Sequence, residues 1–322
     1  MSALVSVFCL AYNHENYIAR ALDSMVCQKT DFAYEIFVHD DASTDRTAEI
    51  LREYEARYPD KIHGYYETVN QFHNTDLHYT RDLLVPLSSG DFFAFCECDD
   101  SWEDPLKLQR QVDFLRSHPE HSMCVHAAYK HLIGTDESKD EIYPQIAEDR
   151  DYDAGEIIRT GAGLFATNSF MIRREAYLDP PDCFRTQDIG DYTILMYASF
   201  LGKVHCLKQP MSRHNEGVKD SWTVRIWNDP ERHVLHQQAM VKLLQGIDSH
   251  YEGKYHEAFA DAIREREADI LMTEFQIALK NNDKEELKKE KYAALLRKYR
   301  FHRMLNEKFP WLVRLKHKIT GD

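Results

Sequence analysis

The stretch FAFCECDDSWEDP, residues 93–105, begins as an apolar β-strand and ends in a cluster of carboxylates. Glu97, Asp99 and Asp100 follow the strand directly. Carboxylates that share one edge of a sheet repel each other and raise each other's pKa values unless a positive charge lies among them. Hard oxygen ligands favour Mg²⁺ or Mn²⁺ as the source of that charge. The stretch therefore predicts a metal site that the phosphates of a substrate complete.

Two other interpretations of this stretch are a capping role for the acids and a zinc site at the cysteines. An acidic pair after a strand often only caps a loop or the following helix. The two cysteines could also hold zinc, but Cys96 and Cys98 lie only two residues apart and no C-x-x-C partner occurs in the chain. Strand alternation turns at least one of these thiols into the core, so we expect the cysteines to take no part in the chemistry.

The segments before this stretch alternate β-rich runs with helical patterns, which is typical of βαβ units and a mainly parallel sheet. The predicted strands are residues 4–11, 34–39, 62–67 and 91–96, and the predicted helices are 17–26, 80–87 and one that Ser43 caps and that ends near 58. Ligands of open α/β sheets bind beyond the carboxyl ends of the strands. We therefore expect residues 12–13, 40–41 and 97–100 to share one edge of the sheet.

The second part of the chain changes in character. The patterns predict a helix over 106–116, a strand over 123–132 and weaker strands over 169–173, 204–207 and 211–214. An acid-rich segment, 134–153, predicts a surface insertion. From about residue 230 the pattern is helical. We expect an α/β domain over 1–228, with a first half (1–105) and a second half (106–228), and a helical region with a basic tail over 229–322.

Composition limits the classes of partner. The chain has 322 residues, 43% of them hydrophobic, and a net charge of −14, which argues against nucleic acid as a ligand. Apolar runs break well short of the roughly 20 residues that cross a bilayer, and the start of the chain lacks the pattern of a secretory signal. The seven cysteines are odd in number and scattered, as expected for reduced thiols. We therefore expect a cytoplasmic protein.

The end of the chain is electrostatically distinct. Residues 284–318 hold 12 lysines and arginines against 4 glutamates, a net charge of +8, which leaves −22 for the remainder. Cations mixed with Phe309, Trp311 and Leu315 are typical of an interfacial helix at anionic lipid, which would place the protein peripherally at the inner face of the membrane. The same segment could instead cover the protein's own acidic domain, and both interpretations stay open.

Three stretches together resemble the family 2 glycosyltransferases. VSVFCLAYNHENYIARALDSMVCQ, YEIFVHDDASTDRTAEIL and SSGDFFAFCECDDSWEDPLKLQRQ occur in the order and spacing of that family, and IGDYTILMYASFLGKVHCLKQPMSRHNEG resembles its acceptor-side segment. The resemblance covers roughly residues 3–222, and it implies that residues 1–105 form a nucleotide-binding half and residues 106–228 an acceptor half. It implies the GT-A fold, an α/β, Rossmann-like, mixed but mainly parallel sheet flanked by helices, here with a C-terminal helical extension. It also implies a nucleotide-sugar donor.

The resemblance assigns the nucleotide pocket to residues of the first two strand ends. It implies that Ala11, Tyr12 and Asn13 line the pocket, with the ring of Tyr12 offered to the base, as aromatic stacking on a planar base requires. Asp40 and Asp41 match the pair that recognises the base and ribose. Because a carboxylate can accept a hydrogen bond from N3–H of uracil, we expect a UDP-sugar.

The resemblance assigns the metal and diphosphate site to the stretch that opens this section. Asp99 matches the metal ligand of the D-x-D motif, and Glu97 stands where the family has an Asp, so its role is ribose contact or water-mediated metal contact. Asp100 is counted with the donor-binding residues. His214 is expected to contact the metal or the diphosphate. Arg213 is a further candidate for the pocket, as is Trp222.

The acceptor hydroxyl must lose a proton as it attacks, so a general base is required. The resemblance assigns this role to Asp191, at the start of a predicted helix, where an acid could instead simply interact with the helix dipole. Asp188 is the rival base. Attack from the face opposite the leaving group inverts the anomeric configuration.

We therefore expect a metal-dependent, inverting glycosyltransferase that acts on a glycan or lipid-linked saccharide in surface polysaccharide synthesis. A phosphohydrolase or nucleotidyltransferase could use the same acids with Mg²⁺, but the chain has neither D-x-D-x-T nor a P-loop. A non-catalytic sugar-nucleotide binding or assembly protein is the second alternative. Detection of donor hydrolysis or transfer would distinguish it from an enzyme.

Overall fold

A computed structural model describes residues 3–71, 79–184, 190–219, 221–297 and 299. In this part of the chain the strands are β1 (Val5–Ala11), β2 (Tyr34–Asp40), β3 (Ile62–Tyr66), β4 (Phe92–Phe95), β5 (Ser101–Trp102), β6 (His121–Leu132), β7 (Glu141–Tyr143), β8 (Arg150–Tyr152), β9 (Met171–Arg173) and β10 (Lys203–Glu216). The α-helices are α1 (Ile18–Val26), α2 (Thr47–Arg57), α3 (Lys107–Ser117), α4 (Ala154–Thr160), α5 (Gly190–Leu201), α6 (Trp222–Trp227), α7 (Pro230–His250) and α8 (His256–Lys280).

One mixed sheet organises the strands, in the order β3-β2-β1-β4-β9-β6-β10-β5, with β7 added to β6 and β8 added to β10. Strands β1 to β4 are parallel to one another, and β6 is parallel to β10. Strand β9 is antiparallel to both β4 and β6, so β6 and β10 run in the same direction as β1 to β4. The carboxyl ends of β1 to β4, β6 and β10 therefore face one edge of the sheet, and their amino ends face the opposite edge.

The sheet is buried on both faces, as parallel strands flanked by helices require. Helix α1 covers one face with Ile18, Ala21, Leu22 and Met25, which are fully buried at the predicted 3-4 spacing. The other face is aromatic: the rings of Phe8 and Phe93 meet edge-on with their centroids 5.0 Å apart, and Phe95 and Tyr177 extend the cluster. Each such buried side chain contributes about 1.5–3 kcal/mol through removal of apolar surface from water.

The predicted strands of the first hundred residues are present, with differences of one or two residues at their ends. The two weaker strands over 204–207 and 211–214 are one strand, β10, whose register shifts between Leu207 and Ser212. The predicted surface insertion, 134–153, contains β7 and β8, which extend the sheet. Its polar composition hid these strands, because they lie at the periphery with exposed side chains.

The predicted helix start at Ser43 is wrong. Helix α2 begins at Thr47, and the hydroxyl of Ser43 instead accepts a hydrogen bond from the backbone N–H of Asn13, at 2.9 Å. The carboxylate of Asp45 accepts from the backbone N–H of Thr47. The predicted helix over 80–87 is a short π-helical segment, Tyr79–Leu84, followed by a 3₁₀ turn.

The chain divides into two compact units, Met1–Ser221 with Gln245–Ala262, and Trp222–Leu244 with Ile263–Asp322. No strand occurs among the described residues beyond 216, in agreement with the helical pattern predicted there. The basic tail beyond residue 299 lies outside the described residues, so its contact with lipid stays a prediction. Within the described ranges, no helix is both long and apolar enough to span a membrane.

Candidate active site

Backbone hydrogen bonds carry three predicted segments to the carboxyl edge of the sheet. Beyond the end of β4, the N–H groups of Cys96 and Cys98 still donate to the carbonyls of Phe8 and Leu10 on β1, at 3.1 and 3.0 Å. On the other side of β1, the N–H of Asp41 donates to the carbonyl of Ala11 at 3.0 Å. The structure therefore brings together the ends of β1, β2 and β4, as predicted from the sheet edge rule. Both cysteine side chains are fully buried in the core.

The loop after β1 is fixed to the loop after β2. Asn13 has a φ of 56°, in the left-handed region that Asn tolerates better than most residues. Its side-chain oxygen accepts a hydrogen bond from the backbone N–H of Thr44 at 2.8 Å. The fold thus holds the side chain of Asn13 in place. Tyr12, by contrast, is 37% exposed to solvent.

The two acids at the end of β2 differ in their partners. Asp40 is buried, and its Oδ1 has no hydrogen-bond partner among the described residues. Oδ1 of Asp41 accepts a hydrogen bond from the backbone N–H of Gln71 at 2.7 Å, and burial raises the pKa of Asp41. A buried acceptor left without a donor costs free energy, so Asp40 is the better placed of the two to receive a donor group from a ligand.

The acids after β4 are crowded, with Asp100 buried and Glu97 and Asp99 partly buried. Burial, together with the charges of Asp99 and Asp100, raises the pKa of Glu97 to about 8. Burial and the charge of Asp100 also raise the pKa of Asp99. These shifts mean that the negative charges repel each other in a medium of low polarity. The donor set of carboxylate oxygens therefore fits a hard divalent cation, which would relieve this repulsion.

Asp100 differs from its two neighbours, because the fold engages both of its oxygens. Oδ1 accepts a hydrogen bond from the backbone N–H of Asn215 at 2.8 Å, and Oδ2 accepts one from the side chain of Asn168 at 2.8 Å. Nδ1 of His214 lies 3.3 Å from the same Oδ2. Burial alone would lower the pKa of His214, but the charge of Asp100 and this hydrogen bond outweigh burial and raise it to about 9. Asp100 thus anchors the end of β10 and holds His214 beside the acids.

The sequence interpretation missed two residues of this cluster. Nε2 of His14 lies 3.8 Å from Oδ2 of Asp99, and Nδ1 of His14 is buried without a hydrogen-bond partner in the described part of the chain. His14 directly follows the AYN motif, a position that could have signalled it. The ring of Tyr143 lies 6.4 Å from the ring of His214, and burial followed by the charge of Asp100 raises the pKa of Tyr143. No sequence motif identified Tyr143, because it lies in the acid-rich segment predicted as a surface insertion.

Asp191 lies in the first turn of α5, where its Oδ1 accepts a hydrogen bond from the backbone N–H of Tyr192 at 2.7 Å. Burial raises the pKa of Asp191. The charge of Asp191 acts on Glu97, and that of His214 acts on Asp191, so the three side chains belong to one electrostatic cluster. The rival base, Asp188, lies outside the described residues.

Two further candidates have other contacts. The guanidinium of Arg213 is 3.1 Å from a carboxylate oxygen of Glu103 and 3.2 Å from one of Glu137, and it also binds Asp140. Arg213 therefore ties the insertion to β10. The ring of Trp222 lies edge-on to that of His236, at 4.9 Å, within the second unit.

Comparison with known proteins adds independent information. The model of the family described as Glycosyl transferase family 2 matches residues 6–179, more than half of the chain. An uncharacterized protein of Mycobacterium tuberculosis is 35% identical over 175 residues, which are 54% of this chain and 48% of that protein. The chain thus spans about half the length of this curated relative.

Two solved structures share the architecture. S. aureus TarS in complex with UDP-GlcNAc has a TM-score of 0.55 at 16% identity, with 84% of this chain and 81% of that chain covered. The mannosyltransferase PcManGT from Pyrobaculum calidifontis, in complex with GDP-Man and Mn²⁺, has a TM-score of 0.51 at 16% identity, with 97% and 83% covered. At these identities the likeness concerns the fold alone, and it confirms the predicted GT-A fold.

Proposed function

The chain belongs to glycosyl transferase family 2, and on that premise we propose that it transfers a sugar from a nucleoside diphosphate sugar to a saccharide acceptor, with a divalent cation and with inversion. One observation carries the proposal. Glu97 and Asp99, both with raised pKa values, follow β4 at the carboxyl edge of the sheet, and the charge of Asp191 acts on Glu97. Such crowding suits a site that binds a cation together with a diphosphate.

The nucleotide would bind at the ends of β1 and β2. The exposed Tyr12 can offer its ring for stacking on the base, and Oδ1 of Asp40, which has no hydrogen-bond partner among the described residues, can accept a hydrogen bond from N3–H of uracil. Asp41, Ala11 and Asn13 complete the proposed pocket. The related folds were solved with UDP-GlcNAc and GDP-Man, which supports a nucleotide-sugar donor in general. We choose UDP as the nucleotide because Asp40 can accept a hydrogen bond from N3–H of uracil.

Asp99 and His214 would hold the cation, either Mn²⁺ or Mg²⁺, and Glu97 would contact the ribose or a water molecule of the cation. A bound divalent cation acts as a Lewis acid on a diphosphate leaving group. Asp100 keeps His214 in place through the hydrogen bond at 3.3 Å. The protein's own contribution at this edge is to hold these oxygen and nitrogen donors in position before the substrate arrives.

Asp191 would act as the general base. Its raised pKa makes it a better proton acceptor than an ordinary aspartate. As the acceptor oxygen forms its bond to the anomeric carbon, its proton passes to Asp191, and the bond from that carbon to the diphosphate oxygen breaks. The nucleoside diphosphate leaves from the opposite face, so the configuration inverts. The acceptor would be a glycan or a lipid-linked saccharide of surface polysaccharide synthesis, reached by a cytoplasmic enzyme that binds the membrane peripherally.

The test is a panel of nucleotide sugars, assayed with Mn²⁺ or Mg²⁺ for binding by calorimetry and for donor hydrolysis. We expect UDP-sugars to bind only with the cation and to be hydrolysed slowly. Asp99→Asn should lose cation-dependent binding of UDP, whereas Asp191→Asn should keep binding and lose hydrolysis by about 10²-fold or more. The exposed Asp60 provides a matched control, since Asp60→Asn should behave like the unaltered protein.

The outcomes separate the alternatives. Binding without hydrolysis or transfer for every donor would favour a sugar-nucleotide binding protein. Release of inorganic phosphate instead of a sugar would favour a phosphohydrolase. Normal hydrolysis by Asp191→Asn would refute the assignment of the base.

A further inference from the structure

A second cluster of metal-binding residues lies at the edge of the sheet opposite the proposed transfer site. His121 begins β6, Asp151 lies on β8 and His205 lies near the start of β10. His205 and His214 are nine residues apart on one strand, which corresponds to roughly 25 Å or more. The cluster is therefore separate from the acids that follow β4.

Strand pairing brings the three side chains together. His205 stands opposite Asp151 in the antiparallel pair of β10 and β8, and Lys203 stands opposite His121 in the parallel pair of β10 and β6. The register of β10 and β6 shifts between Lys203 and Val204, but the side chains of Lys203 and His205 both contact the carboxylate of Asp151. Nε2 of His121 and Nδ1 of His205 converge on the same oxygen, Oδ1 of Asp151, at 2.9 and 2.7 Å.

We propose that His121, Asp151 and His205 form a binding site for a zinc-type divalent transition metal ion, which joins β6, β8 and β10. One ligand atom from each residue lies within 4.8 Å of the other two, and zinc bonds of 2.0–2.1 Å to nitrogen require only a small adjustment of these side chains. Two imidazoles and one carboxylate suit zinc better than magnesium, which prefers oxygen alone.

The surroundings of the cluster support a metal site. Metal-binding histidines usually face a carboxylate with their other ring nitrogen. Nδ1 of His121 lies 3.4 Å from a carboxylate oxygen of Glu120, although it makes no hydrogen bond to any described residue. The ring of Phe114 stacks on His205, with centroids 3.9 Å apart, and meets His121 edge-on at 5.0 Å, so both imidazoles are held in orientation.

The three side chains differ in their exposure to solvent, and this difference would let an ion enter from solvent. The side chain of His121 is 3% exposed and that of His205 is 13% exposed, whereas Asp151 is 39% exposed and leaves the cluster open on its side. Burial works to raise the pKa of Asp151, but hydrogen bonds from His205 and His121 outweigh it and lower the pKa, so the carboxylate is ionised. Lys203 lies 3.3 Å from the second oxygen, Oδ2, and leaves Oδ1 to the ion.

An ion at this point would fasten the end of the insertion to the sheet. Strand β8 has only three residues and closes the segment 134–153. Without the ion, the two imidazoles and Lys203 hold Asp151 through hydrogen bonds and an ion pair. The ion would replace the two imidazole hydrogen bonds with bonds to a shared centre, and the free energy of metal binding would be added to the stability of the folded chain.

The test uses the full chain without an affinity tag, treated with EDTA and titrated by calorimetry with ZnCl₂ and, separately, MgCl₂. In the Asp99→Asn variant, which lacks a ligand of the proposed transfer site, we expect one equivalent of Zn²⁺ to bind with a Kd of about 10 µM or tighter, Mg²⁺ not to bind at this cluster, and the Tm to rise by several degrees with Zn²⁺. Asp151→Asn and His205→Gln should each weaken Zn²⁺ binding at least tenfold. His118→Gln is the matched control, because His118 stacks on the same Phe114 but contributes no ligand.

Asp99→Asn should retain Zn²⁺ binding, so this result is independent of the proposed transfer reaction. Co²⁺ provides a second measurement on the unaltered chain. Bound Co²⁺ should show visible d–d absorption that differs from that of aqueous Co²⁺, and Zn²⁺ should remove this absorption by displacing the Co²⁺. Absence of saturable Zn²⁺ binding would overturn the proposal and leave the cluster a hydrogen-bonded one. Equal Zn²⁺ affinity in His205→Gln and the unaltered chain would overturn it as well.

Discussion

Lys107 is fully buried at the start of α3, and its ammonium group has no hydrogen-bond partner among the described residues. Its Nζ lies 4.2 Å from the centroid of the Trp102 ring. Burial lowers the pKa of Lys107 from 10.5 to about 7. We predict that replacement by an apolar side chain of similar length, Lys107→Met, stabilises the protein at neutral pH.

The magnitude follows from the two pKa values. Below pH 7 the lysine is protonated in both the folded and unfolded chains, and the penalty for burying the charge is fully present. As pH rises from 7 towards 10.5, the folded chain holds fewer protons than the unfolded chain, so its relative stability increases. The penalty is about 4 kcal/mol at pH 7 and about 2 kcal/mol at pH 9. The cation–π contact with Trp102 stabilises only the charged form of Lys107, so its contribution is already contained in the folded pKa.

The assay is urea unfolding followed by circular dichroism at pH 7 and pH 9, with a reductant to keep the seven thiols free. Lys107→Met should be more stable than the unaltered chain by about 4 kcal/mol at pH 7, and this advantage should shrink to about 2 kcal/mol at pH 9. Lys29→Met, at an exposed lysine, is the control and should show neither effect. A stability difference that is the same at both pH values would refute the reasoning.

Three further predictions concern the site. Tyr12→Ala should weaken UDP binding by about 1–2 kcal/mol in calorimetry, whereas Tyr12→Phe should not; equal losses in both variants would exclude stacking. Asp100→Asn should lower the free energy of unfolding by about 1–3 kcal/mol and weaken cation-dependent UDP binding, because it disturbs the anchor of His214 and Asn215; unchanged UDP affinity in a folded variant would contradict the positioning role. Cys96→Ala should lower stability by about 1 kcal/mol and leave UDP affinity unchanged, and loss of UDP binding would instead give the thiol a part in the site.

The residues that could be predicted from the sequence are those whose signal is local. The strands β1, β2 and β4 each combine an apolar run with polar residues at its end, and the edge rule then places Asp40 and Asp99 together. The family resemblance assigns Asp191 to the predicted site as a candidate base, and the structure adds the electrostatic coupling of Asp191 to Glu97.

The remaining features depend on pairing across long distances in the chain. The partners of Asp100 are Asn168 and Asn215, 68 and 115 residues away, and no local pattern connects them. The misassigned role of Ser43 has the same origin, since its hydroxyl is taken by Asn13, 30 residues earlier. The proximity of His121 to His205 depends on the register of β6 and β10, which the sequence does not specify.

The contact of Arg213 with the insertion limits how this protein can be re-engineered. Arg213 is only 6% exposed, and two of its three carboxylate partners, Glu137 and Asp140, come from the insertion. Exchange of residues 134–153 for a foreign loop would leave a buried cation with one remaining counter-charge, a change that destabilises folded proteins by about 3–5 kcal/mol. Grafted loops would therefore need two acids of their own at matching positions, or an accompanying apolar replacement of Arg213.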